Sequence, residues 1–155
     1  MVRRLDEFFS ACDALAARVG LEKIKTIGDA YMAVGGLDGR SAGDHPRRAV
    51  EFALGMLDAV RAFNERSGER LAVRVGVHTG PVVAGVIGTS KFSYDVWGDT
   101  VNVASRMESH GIAGVVQVSE ATWTRVRDHF VFEARGDIAV KGRGTMKTFT
   151  TRRAD

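Results

Sequence analysis

Leu5, Phe8, Phe9, Cys12, Leu15, Ala16 and Val19 recur at helical spacing, which predicts an amphipathic helix over residues 3–19 ended by Gly20. Residues 21–27 then alternate as a strand. Gly28-Asp29 suits a tight turn, and residues 30–34 read as the returning strand, so a hairpin with Asp29 near its tip is expected. A loop follows from Gly35 to Gly43. Asp44 is placed to cap a second helix, with Pro46 in its first turn and Val50, Phe52, Ala53, Met56, Leu57, Val60 and Phe63 on its apolar side, running to about Arg66. Residues 67–70 break it.

Leu71, Val73, Val75 and Val77 alternate with Ala72, Arg74, Gly76 and His78, the pattern of a half-buried strand. Thr79-Gly80-Pro81 turns the chain into another strand over 82–87. Asp99-Thr100 opens a third helix through Glu108, and Val115 to Val118 forms a short strand. Ser119 caps a helix over 120–127, and residues 130–151 read as two or three strands around Gly136 and the turn at 141–144. Helices and strands mix with antiparallel content, which argues an α/β or α+β sandwich of helices on a sheet. Phe8, Phe52, Met56, Val75, Val77 and Val101 are expected in the core.

Composition narrows this little. At 155 residues with no linker, repeat or low-complexity run, one domain over 1–155 is expected. A single cysteine, Cys12, rules out an internal disulfide, and no Cys/His cluster has zinc spacing. A net charge of +3 is too weak and scattered to argue nucleic-acid binding. No apolar run approaches the roughly 20 residues that span a bilayer, and no targeting core is visible. The expected location is cytoplasmic, with no membrane contact from this segment.

Several residues carry candidate chemistry, each with a plain alternative. Asp29 is either a turn aspartate bonding its own backbone or a carboxylate for Mg²⁺, which takes oxygen ligands and shares them with phosphates. Lys25 is a strand lysine that either snorkels or reaches a ligand. Arg74 faces solvent or a phosphate. Asn102 and Arg106 lie four apart on one helix, so they share a face that is either surface decoration or suited to phosphate and ribose. Lys141, before Gly142-Arg143-Gly144, is a solvated turn lysine or part of a phosphate-covering loop. The glycines lack P-loop and dinucleotide-fold spacing. His45, His78, His110 and His129 form no recognisable ligand set, and no Ser/His/Asp or Cys/His nucleophile is visible.

Four segments in order carry a resemblance. Glu22 to Met32 (EKIKTIGDAYM), Arg74 to Gly80 (RVGVHTG), Tyr94 to Met107 (YDVWGDTVNVASRM) and Val140 to Gly144 (VKGRG) resemble the signatures of class III adenylyl/guanylyl cyclase catalytic domains, adenylyl type. The resemblance implies an α+β, ferredoxin-like domain, a mostly antiparallel sheet with packed helices. It implies conversion of ATP to 3′,5′-cyclic AMP and pyrophosphate, with Mg²⁺ or Mn²⁺ (two per site in the intact family domain), in a homodimer with composite sites. Lys25 and Asp95 match the pair that reads adenine. Asn102 and Arg106 match the pair that positions ribose and stabilises the transition state. Arg74 and Lys141 match phosphate contacts, and Asp29 matches one of two metal-binding aspartates. The family's opening strand word, Phe-x-Asp-Ile followed by Gly-Phe-Thr, does not precede the first helix. An N-terminally truncated domain is therefore expected, in which two strands that would flank the missing one lack a partner. A catalytically silent nucleotide-binding or dimerisation module is the alternative.

Overall fold

The structure is a computed structural model and describes residues 2–37, 44–88 and 93–153. The chain runs α1 (Val2–Val19), β1 (Glu22–Ile27), β2 (Ala30–Val34), α2 (His45–Ser67), β3 (Val75–Val77), β4 (Val83–Ile87), β5 (Ser93–Trp97), α3 (Asp99–Ser109), β6 (Val116–Ser119), α4 (Glu120–Val126), β7 (Glu133–Val140) and β8 (Gly144–Thr151). Among the described residues the strands form three sheets. Two are the hairpins β1–β2 and β4–β5, and the third has the order β3-β6-β8-β7. Every pairing is antiparallel except β3 with β6. The architecture is the expected mixed α+β with mainly antiparallel strands.

Helix α1 ends as its sequence dictates. Gly20 adopts φ +83°, and the amides of Gly20 and Leu21 both return to the Ala16 carbonyl. Phe8, Cys12, Leu15 and Ala16 are buried along one stripe against Phe52, Met56 and Val60 of α2. Gly55 permits this crossing, since a Cβ there would meet Leu15 Cδ2 at 2.6 Å. The opposite side of α2 buries Val50, Ala53 and Leu54 against Val116 and Val118 of β6 and Val126 of α4. Helix α2 is thus the shared wall of two cores. Burial pushes the Cys12 thiol up to about 12, so it is a neutral packing group.

The hairpin β1–β2 and the four-stranded sheet do not pair with each other. Both nonetheless lie on one helical layer: Tyr31 and Ala33 of β2 and Val75 of β3 pack on the same α1–α2 cluster. A third cluster seats Val103 and Met107 of α3 on Val140, with Ile138 and Met146 alongside.

Several expectations are corrected. The strand expected over 71–78 shortens to three residues, because Asn64 takes Leu71 out of any ladder. Its Nδ2 donates to Leu71 O at 2.8 Å and its Oδ1 accepts from Leu71 N at 2.9 Å. The carbonyl of Val73 is taken by Gly114 N. Asp44 stands at the N-cap of α2 without capping it; its carboxylate pairs with Arg48 at 2.9 Å. Ser119 does cap α4, accepting from Thr122 N. Phe8, Phe52 and Met56 are buried, but Val75, Val77 and Val101 are only half-buried. β3 is an outer strand, and Val101 lines a cleft. Strand β5, which the periodicity did not pick out, pairs residue for residue with β4. Of the loop expected over 35–43, the part beyond Leu37 lies outside the described residues, and so does Met1.

Candidate active site

The hairpin β1–β2 turns at Gly28-Asp29, with Gly28 at φ +59°, the sign that the first central residue of a type II′ turn requires. The strand before it is bulged. Lys23 pairs with Ala33 and Lys25 with Met32, so Ile24 is an extra residue. A regular strand would put both lysines on one face. The bulge places them on opposite faces, because paired residues share a face and Ala33 and Met32 do not. Lys23 turns to α1, where it meets Asp13 at 3.2 Å and lies over the Tyr31 ring. Lys25 turns the other way and meets Asp95 of β5, with Nζ 2.8 Å from Oδ2.

Asp95 is held from two sides. Its second oxygen accepts from the Val96 amide at 2.8 Å, and its side chain is only 12% exposed. The Lys25 ammonium first, and the Val96 N–H second, hold its carboxyl below the usual carboxylate range. Lys25 and Asp95 line a cleft with Val96, Trp97, Gly98, Asp99, Val101 and Asn102. One wall is β5 with Lys25 of β1 and the other the first turns of α3. Gly98 enters the helix at φ +128°, and Thr100 Oγ1 donates to Pro81 O at 2.7 Å, fixing that turn on the segment after β3.

Of the seven sequence-derived site residues, Lys25, Asp95 and Asn102 line this cleft. Arg106 lies one helical turn beyond Asn102 and is exposed. Lys141 sits in the β7–β8 turn, directly after the buried Val140 that packs on α3. Asp29 is exposed at the hairpin tip, four residues past Lys25. None of Asn102, Arg106, Lys141 and Asp29 has a side-chain hydrogen bond or ion pair among the described residues. Arg74 is the one drawn elsewhere. Its Nε and Nη2 both reach Glu108 Oε2 at 2.9 Å, near the far end of α3, roughly 13 Å along the axis from Asp99. Trp97 and Asp99 also line the cleft; both stood in the Tyr94–Met107 word without a role.

Asp29 supplies one hard oxygen donor group. No group of three His, Cys, Asp or Glu side chains suited to a metal occurs among the described residues. That donor suits a divalent cation completed by phosphate and water, and it does not build a protein-only centre.

His78 directly follows β3 and is half-buried. Its Nδ1 is 2.6 Å from Ser119 Oγ, and Thr79 and Thr122 hydroxyls meet beside it at 2.8 Å. Burial, and then the Arg143 cation, lower its basicity, with Asp99 opposing. The native state therefore resists protonation that the unfolded chain accepts near pH 6.5. Stability is full above that pH and is lost as pH falls below it. Thermal midpoints between pH 7.5 and 5 are expected to fall, and His78→Gln is expected to flatten that slope. A slope untouched by the substitution would assign it to other groups.

The fold and cleft define an α+β domain with a polar site between a β-ribbon and a helix N-terminus. A profile of the adenylate and guanylate cyclase catalytic domain matches residues 1–152, and the chain belongs to that family. It is 48% identical over 149 residues to an adenylate cyclase of Mycobacterium tuberculosis, covering 96% of this chain and 33% of that protein. The chain thus spans about a third of that curated relative. The guanylate cyclase domain of RhGC from Catenaria anguillulae, solved in complex with GTP, superposes with TM-score 0.91 at 38% identity, covering 100% of this chain and 85% of that one. The catalytic core of a rhodopsin-guanylyl cyclase with converted specificity, in complex with ATPαS, gives 0.88 at 40%, covering 97% and 81%. The fold is that of the class III cyclase catalytic domain. Among the described residues, no helix is long and apolar enough to cross a membrane.

Proposed function

We propose that this chain converts ATP to 3′,5′-cyclic AMP and pyrophosphate in a homodimer with composite sites. The observation that carries the choice of base is the Lys25–Asp95 pair at 2.8 Å. Adenine offers a ring-nitrogen acceptor beside an exocyclic amino donor. An ammonium donor next to a carboxylate acceptor matches that order, and a mismatched base leaves buried polar atoms unpaired.

In this reading the ribose 3′ hydroxyl gives its proton to water, and its oxygen bonds to the α-phosphorus as the bond from that phosphorus to pyrophosphate breaks. Asn102, on the cleft wall, orients the ribose. Arg106, four residues on, meets the charge developing on the α-phosphate, and Lys141 meets the departing phosphates. Arg74, tied to Glu108, acts through the β3–α3 contact unless a ligand draws it away. Mg²⁺ or Mn²⁺, held by Asp29 with the triphosphate, supplies charge neutralisation when bound.

A second copy is supported by the apolar surface of the β4–β5 ribbon. Val83 is 67% exposed, and Ile87 and Trp97, which share its face of the ribbon, are exposed as well. Such a cluster around a site is the mark of a partner surface.

The test is product formation by the purified chain from ATP and Mn²⁺, followed by mass spectrometry. Cyclic AMP is expected, lowered about 10²-fold by Asn102→Ala with an unchanged thermal midpoint. Excess cyclic GMP from equal ATP and GTP would overturn the base assignment. Absence of both products would overturn cyclase activity for this chain.

A further inference from the structure

The geometry points to Asp99 and Arg143 as a latch that fixes the Lys141 turn onto α3, making both positioning residues for the triphosphate end of the site. The consequence for catalysis rests on the function proposed above; the latch itself does not.

The turn is closed by Arg143 N donating to Val140 O at 3.0 Å, with Lys141 and Gly142 as its central residues. Gly142 has φ +83°, which makes it a type II turn. Both ends of this turn are fastened to α3. Before Lys141, Val140 is 5% exposed and packs on Val103 and Met107. After it, the Arg143 guanidinium pairs with the Asp99 carboxylate in the first turn of α3. Asp99 and Val103 are four residues apart, so the two fastenings lie one helical turn from each other. Lys141 is bracketed between them and rides on the helix that carries Asn102 and Arg106.

The pair also has an electrostatic role. Asp99 lines the cleft, where an unpaired carboxylate would repel a polyphosphate. Arg143 neutralises it. Both side chains are about half exposed, 46% for Arg143 and 51% for Asp99, so the pair contributes little to global stability. Its effect is one of position, and this separates it from a merely structural contact.

The experiment compares the full chain with Asp99→Asn, Arg143→Gln, the double variant and Arg143→Lys. Amide exchange at Gly142–Gly144 is expected to quicken in both single variants and to be restored by Arg143→Lys, with thermal midpoints within about 2 °C. For cyclic nucleotide formation, kcat is expected to fall about tenfold in either single variant. The double variant should be no worse than either, as two halves of one contact require. Arg143→Gln should also raise KM for ATP, since Asp99 is left charged; Asp99→Asn should not. Unchanged exchange at 142–144 in both single variants would overturn the latch. Quickened exchange with additive losses in kcat would overturn its positioning role. If the parent chain forms no cyclic nucleotide, the proposed function fails, and the latch still stands or falls on the exchange.

Discussion

Replacing Lys25 with Glu and Asp95 with Cys together is expected to lower the ratio of cyclic AMP to cyclic GMP, formed from equal ATP and GTP, by about 10³-fold or more. The size follows from desolvation. Asp95 is 9% exposed, and both of its oxygens are already engaged, one by Lys25 and one by the Val96 amide. A base in this cleft exchanges hydrogen bonds with fixed partners. A base of reversed polarity leaves donor against donor and acceptor against acceptor, and each unpaired buried group costs about 1–3 kcal/mol. Glu with Cys reverses the polarity of the reading pair and suits guanine, whose ring nitrogen donates and whose exocyclic oxygen accepts. The single change Lys25→Glu is a control with a different outcome. It sets two carboxylates face to face and removes the main cause of the lowered Asp95 pKa, so use of both nucleotides should fall. Initial rates from an equimolar mixture of the two nucleotides decide the matter. An ATP/GTP ratio unchanged in the double variant would remove Lys25 and Asp95 from base selection.

The sequence made the local elements readable and the long-range ones much less so. Helices α1 and α2 followed from their apolar stripes, and the first hairpin from Gly28-Asp29, because these signals lie within one turn or one strand. The same two-residue period misplaces Lys23 and Lys25 on one face. The bulge at Ile24 separates them, sending Lys23 to Asp13 and Lys25 to Asp95, partners that the local pattern does not encode. Residues 71–74 look like strand, yet Asn64, seven residues before Leu71, takes the backbone bonds that a ladder would use. Arg74 reads as a strand cation that faces either solvent or a phosphate. The anion it finds is Glu108, 34 residues later, and no periodicity encodes that. The Lys25–Asp95 pair spans 70 residues, and only the resemblance brought the two together before the fold did. Arg143 reads only as part of the Lys141 turn, since a turn arginine has no visible partner until α3 lies next to it.

Gly76→Ala is expected to destabilise the chain by about 3 kcal/mol or more, a fall of roughly 6–12 °C in the thermal midpoint, and to abolish activity in whatever remains folded. In the Arg74–Gly80 word this glycine reads as one small residue in a strand. In the fold it is the point where β3 touches α3. A Cβ there would lie 2.2 Å from Glu108 N and 2.6 Å from Met107 C. Both are backbone atoms, so no rotamer change relieves the overlap, and α3 must move by about 1 Å or more to restore ordinary contact. That helix is not free to move. Met107 and Val103 are fully buried against the β7–β8 hairpin, and Gln117 Nε2 holds the Met107 carbonyl at 3.0 Å. A shift would therefore unpack the third core cluster and carry Asn102 and Arg106 away from Lys25 and Asp95. Gly85→Ala is the matched control in the neighbouring ribbon. Its Cβ would meet the Trp97 ring at 3.4 Å, ordinary contact with an exposed side chain, and its midpoint should stay within about 2 °C of the parent. Calorimetry on the three chains separates the explanations. A large loss at Gly76 alone ties the glycine to the β3–α3 approach that sets the site, whereas equal losses at both positions would reduce it to a general intolerance of strand alanine.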